Sequence, residues 1–122
     1  MKYALLIYSA PGAGEQAGPP PPGVITDWVA YTQAANDSGG LLAAERLAAT
    51  DTATCVRVRG GDRLLTDGPF AETKEYLLGF YLLDVPDLDT ALDWAARMPA
   101  AAYGVVEVRA VRTGEPWQVV LG

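Results

Sequence analysis

The longest apolar run of the chain, residues 76–85, is hydrophobic on both of its alternating registers: Leu77, Tyr81 and Leu83 on one, Leu78, Phe80 and Leu82 on the other. Such a run bounded by turn residues predicts a strand covered on both faces. Residues 3–8 repeat the pattern, with Tyr3, Leu5 and Ile7 against Ala4, Leu6 and Tyr8. Between them, Val56 and Val58 alternate with Cys55, Arg57 and Arg59, and Gly60-Gly61-Asp62 turns the chain back into residues 63–66. That is a hairpin. Residues 41–47 and 104–111 supply two more strands, the latter setting Val106 and Val108 opposite Glu107 and Arg109. Helical spacing occurs twice. Residues 24–38 place Ile25, Trp28, Thr32 and Ala35 on one stripe and stop at Gly39-Gly40. Residues 88–98 follow an Asp87 N-cap, bury Leu88, Ala91, Leu92 and Ala95, and end at Pro99.

With the hairpin set aside, the order is strand, helix, strand, strand, helix, strand. This predicts an α+β, ferredoxin-like βαββαβ domain spanning residues 1–122, with both helices on one sheet face. Two helices cover only one face, yet residues 3–8 and 76–85 are apolar on both. The second face must therefore meet another chain or enclose a ligand. Two such sheets packed face to face form a dimeric α+β barrel, so a homodimer is expected. Residues 9–23 read as a loop whose Pro19 to Pro22 run is a polyproline spacer. The tail, residues 112–122, carries Trp117, Val119, Val120 and Leu121, and is expected to pack on the domain or on a partner chain.

Composition narrows the chemistry. A net charge of −6 over 122 residues disfavours nucleic acid and anionic membranes as partners. No apolar run approaches transmembrane length and no secretory leader pattern opens the sequence, so a cytoplasmic location is expected. The chain has no histidine and one cysteine, Cys55, which excludes zinc sites of the usual kind, disulfides within the chain, and His-dependent nucleophile systems. Neither a phosphate-binding loop nor a dinucleotide fingerprint is present, and no cofactor or metal is expected. Carboxylates, tyrosines, arginines and Lys74 must do whatever the protein does.

The polar turn entering the long strand concentrates such groups. Gly68 is pushed out of the α region by Pro69 and, as glycine, is free to take positive φ. Asp67, Glu72 and Lys74 then bunch at the mouth of an apolar strand. Carboxylates beside a hydrophobic element and an ammonium suit an acid–base site, with Asp67 or Glu72 as acid or base and Lys74 tuning it. Glu45, Tyr8 and Tyr81 are candidate ligand-binding residues. The alternative is purely architectural: Asp67 holds the turn and Lys74 pairs with a neighbouring glutamate.

Over nearly its whole length the chain resembles the DGPF-type proteins of the YCII-related family. The matching pieces are residues 2–8, Glu45-Arg46-Leu47, residues 52–58, Asp67-Gly68-Pro69-Phe70 and on to Glu75, residues 79–82 and residues 106–109. The resemblance implies a dimeric α+β barrel with a cleft between helices, sheet and partner, and a small-molecule ligand. Relatives of this kind include isomerases and monooxygenases acting on small cyclic molecules. It also implies a second kind of role, as a non-catalytic partner of an extracytoplasmic-function sigma factor. The His–Asp pair associated with the YCII branch has no counterpart here, because the histidine is missing.

Overall fold

The computed structural model describes residues 1–9, 23–69 and 75–121. Its elements are β1 (Lys2–Tyr8), α1 (Val24–Asp37), β2 (Leu41–Arg46), β3 (Thr54–Arg59), β4 (Asp62–Asp67), β5 (Leu77–Asp84), α2 (Leu88–Arg97), β6 (Val105–Ala110) and a short α3 (Gln118–Leu121). Pro19 to Pro22, and the turn predicted over residues 70–75 apart from Glu75, lie outside the described residues. Four strands form one sheet in the order β2-β5-β1-β6, every neighbouring pair antiparallel, while β3 and β4 pair only with each other. This is the α+β ferredoxin-like arrangement with an inserted hairpin. No helix among the described residues is long and apolar enough to cross a membrane.

Register fixes what each face of the sheet offers. Leu5 lies between Tyr81 and Val108, and Tyr3 between Leu83 and Ala110. These side chains point to the helices, and Leu5 and Leu83 are almost fully buried. Burial of each such leucine contributes about 1.5–3 kcal/mol. On the opposite face Ala4, Leu6, Tyr8, Phe80, Leu82 and Ala43 are half-buried, with Glu45 beyond Phe80 on one flank and Glu107 beyond Leu6 on the other. The doubly apolar strands thus have one covered face and one open face.

The helices present different stripes from those expected. In α1 the core-facing residues are Trp28, Tyr31, Thr32 and Ala35, and Ile25 is 64% exposed. At 100° per residue Ile25 falls roughly 70° from the centre of that stripe. In α2, Ala91 and Ala95 face the sheet with Met98, whereas Leu88 and Leu92 point outward. Small residues let the helix lie close to the sheet, and aromatic rings fill the space between helices. Trp28 stacks on Tyr81 at 5.9 Å, and Tyr31 meets Trp28, Tyr81 and Trp94 edge-on. The Tyr31 hydroxyl donates to the Trp94 carbonyl at 2.8 Å, in the last turn of α2 where carbonyls lose their helical donors. Burial pushes this phenol far above its ordinary range, so it remains a donor throughout the neutral range.

Asp87 caps α2 as expected. Its carboxylate accepts from the Thr90 amide at 2.8 Å and the Thr90 hydroxyl at 2.7 Å, which holds its pKa below the usual carboxylate value. A pKa lowered by folding means a contribution present above the unfolded pKa and lost as pH falls through the folded one. Asp87→Asn keeps an acceptor for Thr90 but cannot titrate. The wild type should melt slightly above the variant at pH 7, and the two melts should converge in acid, because only the wild type loses this contribution.

In the tail, Trp117, Val119 and Val120 are 64%, 83% and 86% exposed. Arg112 pairs with Glu115 at 2.8 Å, and Gln118 reaches back to the Arg112 carbonyl. Those contacts fold the tail on itself and leave Trp117, Val119 and Val120 uncovered in a single copy.

Candidate functional site

Where β1 ends, the chain builds a groove of about 480 Å³. Its apolar lining is Leu47, Ala48, Ala49, Ala53, Pro69 and Leu77, and its polar lining is Tyr8, Thr50, Thr52, Glu75 and Tyr76. A bulge sets the aim of the first of these: Ile7 pairs with Gly79 but Tyr8 with Leu77, so one residue of β5 is extra. Beyond it Ser9, itself buried, clamps the two strands. Its amide donates to the Tyr76 carbonyl at 2.9 Å and its hydroxyl accepts from the Tyr76 amide at 2.8 Å. Tyr8 and Tyr76 are thereby fixed as neighbours at one rim.

The opposite wall is the foot of hairpin β3–β4. A single turn of helix, Thr50–Thr52, closes when the Thr52 amide and hydroxyl both donate to the Ala49 carbonyl, at 3.0 and 2.5 Å. Gly68 follows the last residue of β4 with φ of +94°, the left-handed region that its lack of a side chain permits. Its amide donates to the Ala53 carbonyl at 2.7 Å, and its carbonyl accepts from the Cys55 thiol at 3.3 Å. The turn read in the sequence as a bend at Gly68-Pro69 is therefore pinned on both sides, and it delivers Pro69 to the groove.

Of the six residues singled out from sequence, Tyr8 lines this groove. Asp67 pairs with Thr54 at the end of β4, exposed, two residues short of Pro69, and its side chain is not part of the lining. Glu45 is exposed on β2 opposite Phe80, on the open face of the sheet. Tyr81 is buried on the helix face, where its hydroxyl shares a 2.5 Å hydrogen bond with Thr32. Tyr8 and Tyr81 thus belong to opposite sides of the sheet. Glu72 and Lys74 lie outside the described residues. Sequence reasoning passed over Thr50, Thr52 and Tyr76; the one signal for Tyr76 was its place at the junction between turn and strand.

A larger groove, about 540 Å³, runs between α1 and the turn after α2. Three of its polar side chains already have partners. Tyr31 donates to Trp94, the Arg97 guanidinium lies 4.3 Å above the Trp94 ring, and the Tyr103 hydroxyl accepts from the Trp28 indole at 3.3 Å. The Tyr8 groove is the better candidate because a bulge, the Ser9 clamp and the pinned Gly68-Pro69 turn all shape it. Two phenols, two threonines and one carboxylate line it beside the apolar residues, and among the described residues no lysine or arginine lines it. Among those residues no cluster of three His, Cys, Asp or Glu is placed to hold a metal ion.

A fold of this topology with a Gly-Pro turn feeding its central strands invites comparison with known proteins. The family model described as the YCII-related domain matches residues 1–118. The chain belongs to the YCII-related family. An uncharacterised protein of Rhizobium meliloti (strain 1021) is 40% identical over 98 residues, 79% of each chain.

Proposed function

We propose that this protein is a cytoplasmic homodimer of the DGPF type that binds a small, ring-bearing molecule in the groove at Tyr8, Glu75 and Tyr76. The observation that carries the reading is convergence. The bulge at Tyr8, the Ser9 clamp and the pinned Gly68-Pro69 turn are three separate devices, and all shape the same space. The apolar lining suits an apolar ring, while the phenols and Glu75 suit polar atoms at its edge. The half-buried open face, centred on Leu6, Phe80 and Leu82, is the surface through which the dimer forms. Glu75 is the group placed to move a proton should the molecule be transformed as well as held.

Mass spectrometry of small molecules released from purified, heat-denatured protein tests the reading. Tyr8→Phe and Glu75→Gln preserve shape while each removes one polar interaction, so each is expected to lower retention about tenfold with melting temperature changed by no more than a few degrees. Retention unchanged in both variants would remove the groove from consideration.

A further inference from the structure

The groove between α1 and the turn after α2 is lined by two opposite charges, Asp27 from the first turn of α1 and Arg97 from the last turn of α2. Among the described residues neither forms an ion pair, so their charged atoms lie more than 4.0 Å apart. Both are exposed. Arg97 is nevertheless held in place, because its guanidinium lies 4.3 Å above the Trp94 ring. A guanidinium stacked on an aromatic face keeps its N–H edge for hydrogen bonds, and that edge matches a carboxylate.

Two hydrogen bonds set the order of the charges along the groove. The Trp28 indole donates to the Tyr103 hydroxyl at 3.3 Å, which brings the end of the turn after α2 beside the first turns of α1. The Tyr31 hydroxyl donates to the Trp94 carbonyl at 2.8 Å, which ties the last turn of α2 to α1 further along. Asp27 precedes Tyr31 by four residues, about 6 Å back along the helix axis. With Arg97 pinned over Trp94, anion and cation are offset along the groove by roughly one helical turn. Ala30, Ala34, Pro99 and Ala102 give the same groove its apolar lining. An apolar occupant would desolvate both charges without a partner, and an occupant of one charge would leave the other unpaired. A molecule carrying an ammonium and a carboxylate satisfies both. We infer that this groove binds a short aliphatic amino acid, its carboxylate on Arg97, its ammonium on Asp27 and its side chain along the alanines. It is separate from the Tyr8 groove and shares no lining residue with it.

Titration of the purified protein with L-leucine, followed by calorimetry and by amide chemical shifts, tests the inference. Saturable binding is expected, with shifts confined to residues 24–34 and 97–103. Isopentylamine lacks the carboxylate and isocaproate lacks the ammonium, and each is expected to bind at least tenfold more weakly than leucine. Arg97→Gln and Asp27→Asn alter exposed side chains, so circular dichroism should be unchanged while leucine affinity falls at least tenfold in each. Arg97→Gln should also bind leucine and isopentylamine alike, and Asp27→Asn should bind leucine and isocaproate alike. Should either variant unfold, the comparison of the three compounds on wild type decides alone. No saturable heat with leucine up to about 10 mM, equal affinity for the three compounds, or unchanged leucine affinity in either folded variant would overturn the inference. Shifts that fall instead on residues 47–53 and 75–77 would overturn it too, by assigning the amino acid to the Tyr8 groove.

Discussion

Leu83→Asp is expected to leave little folded protein at 25 °C, whereas Leu82→Asp, one residue away, should fold and be monomeric. Leu83 is 1% exposed against the helices, so aspartate there loses the leucine's burial and places an unpaired charge in the core. The cost is on the order of 5 kcal/mol, comparable with the whole stability of a domain this size. Leu82 points to the open face and is only half-buried in a single copy. Its carboxylate would reach water in the monomer and be stranded in a dimer. Circular dichroism melts and light scattering on the two variants decide the matter. Equal melting temperatures would contradict the register of β5, and a dimeric Leu82→Asp would contradict the use of this face.

Gly104→Ala should damage stability and site together. A methyl group at Gly104 would fall on the backbone carbonyl oxygen of Tyr8, with the Ala100 carbonyl 3.4 Å away on the other side. Neither neighbour is a side chain that can swing aside. The amide of Gly104 also donates to Ala100 at 2.7 Å, so residue 104 itself is held. The end of β1 must shift, at a cost of about 1–3 kcal/mol, and Tyr8 moves with it. A melting temperature lower by about 5–15 °C is expected, with ligand retention reduced more than in Tyr8→Phe. A variant that melts like wild type and keeps its ligand would show that β1 yields freely at this point.

Much of this architecture was legible in the sequence, and the limits have identifiable causes. Alternation and turn chemistry marked the strands, the Gly60-Gly61 hairpin and the Asp87 cap, because these are local properties of consecutive residues. Helix facing was not local. A stripe chosen by hydrophobicity favoured Ile25, Leu88 and Leu92, while the sheet selected Tyr31, Ala91 and Ala95 by size and shape. Tyr8 and Tyr81 illustrate the same limit for strands. Each was visible as a tyrosine in an apolar run, but their opposite directions depend on the pairing of Leu5 with Tyr81 and on the bulge after Ile7. The groove gathers Tyr8, Thr50 and the Pro69–Tyr76 segment from three distant stretches, and no spacing rule connects them.

The distribution of tryptophans gives the molecule its own optical reporters. Trp28 and Trp94 pack against the buried core, each in edge contact with Tyr31, whereas Trp117 stands 64% exposed in the tail. Emission excited at the red edge of the indole band therefore divides into a shielded pair and one residue open to a collisional quencher such as iodide. The quenchable fraction measures whether the tail is covered as concentration rises, without any label. The shielded pair reports unfolding of the interhelical layer, so a single cuvette separates tail docking from loss of the fold.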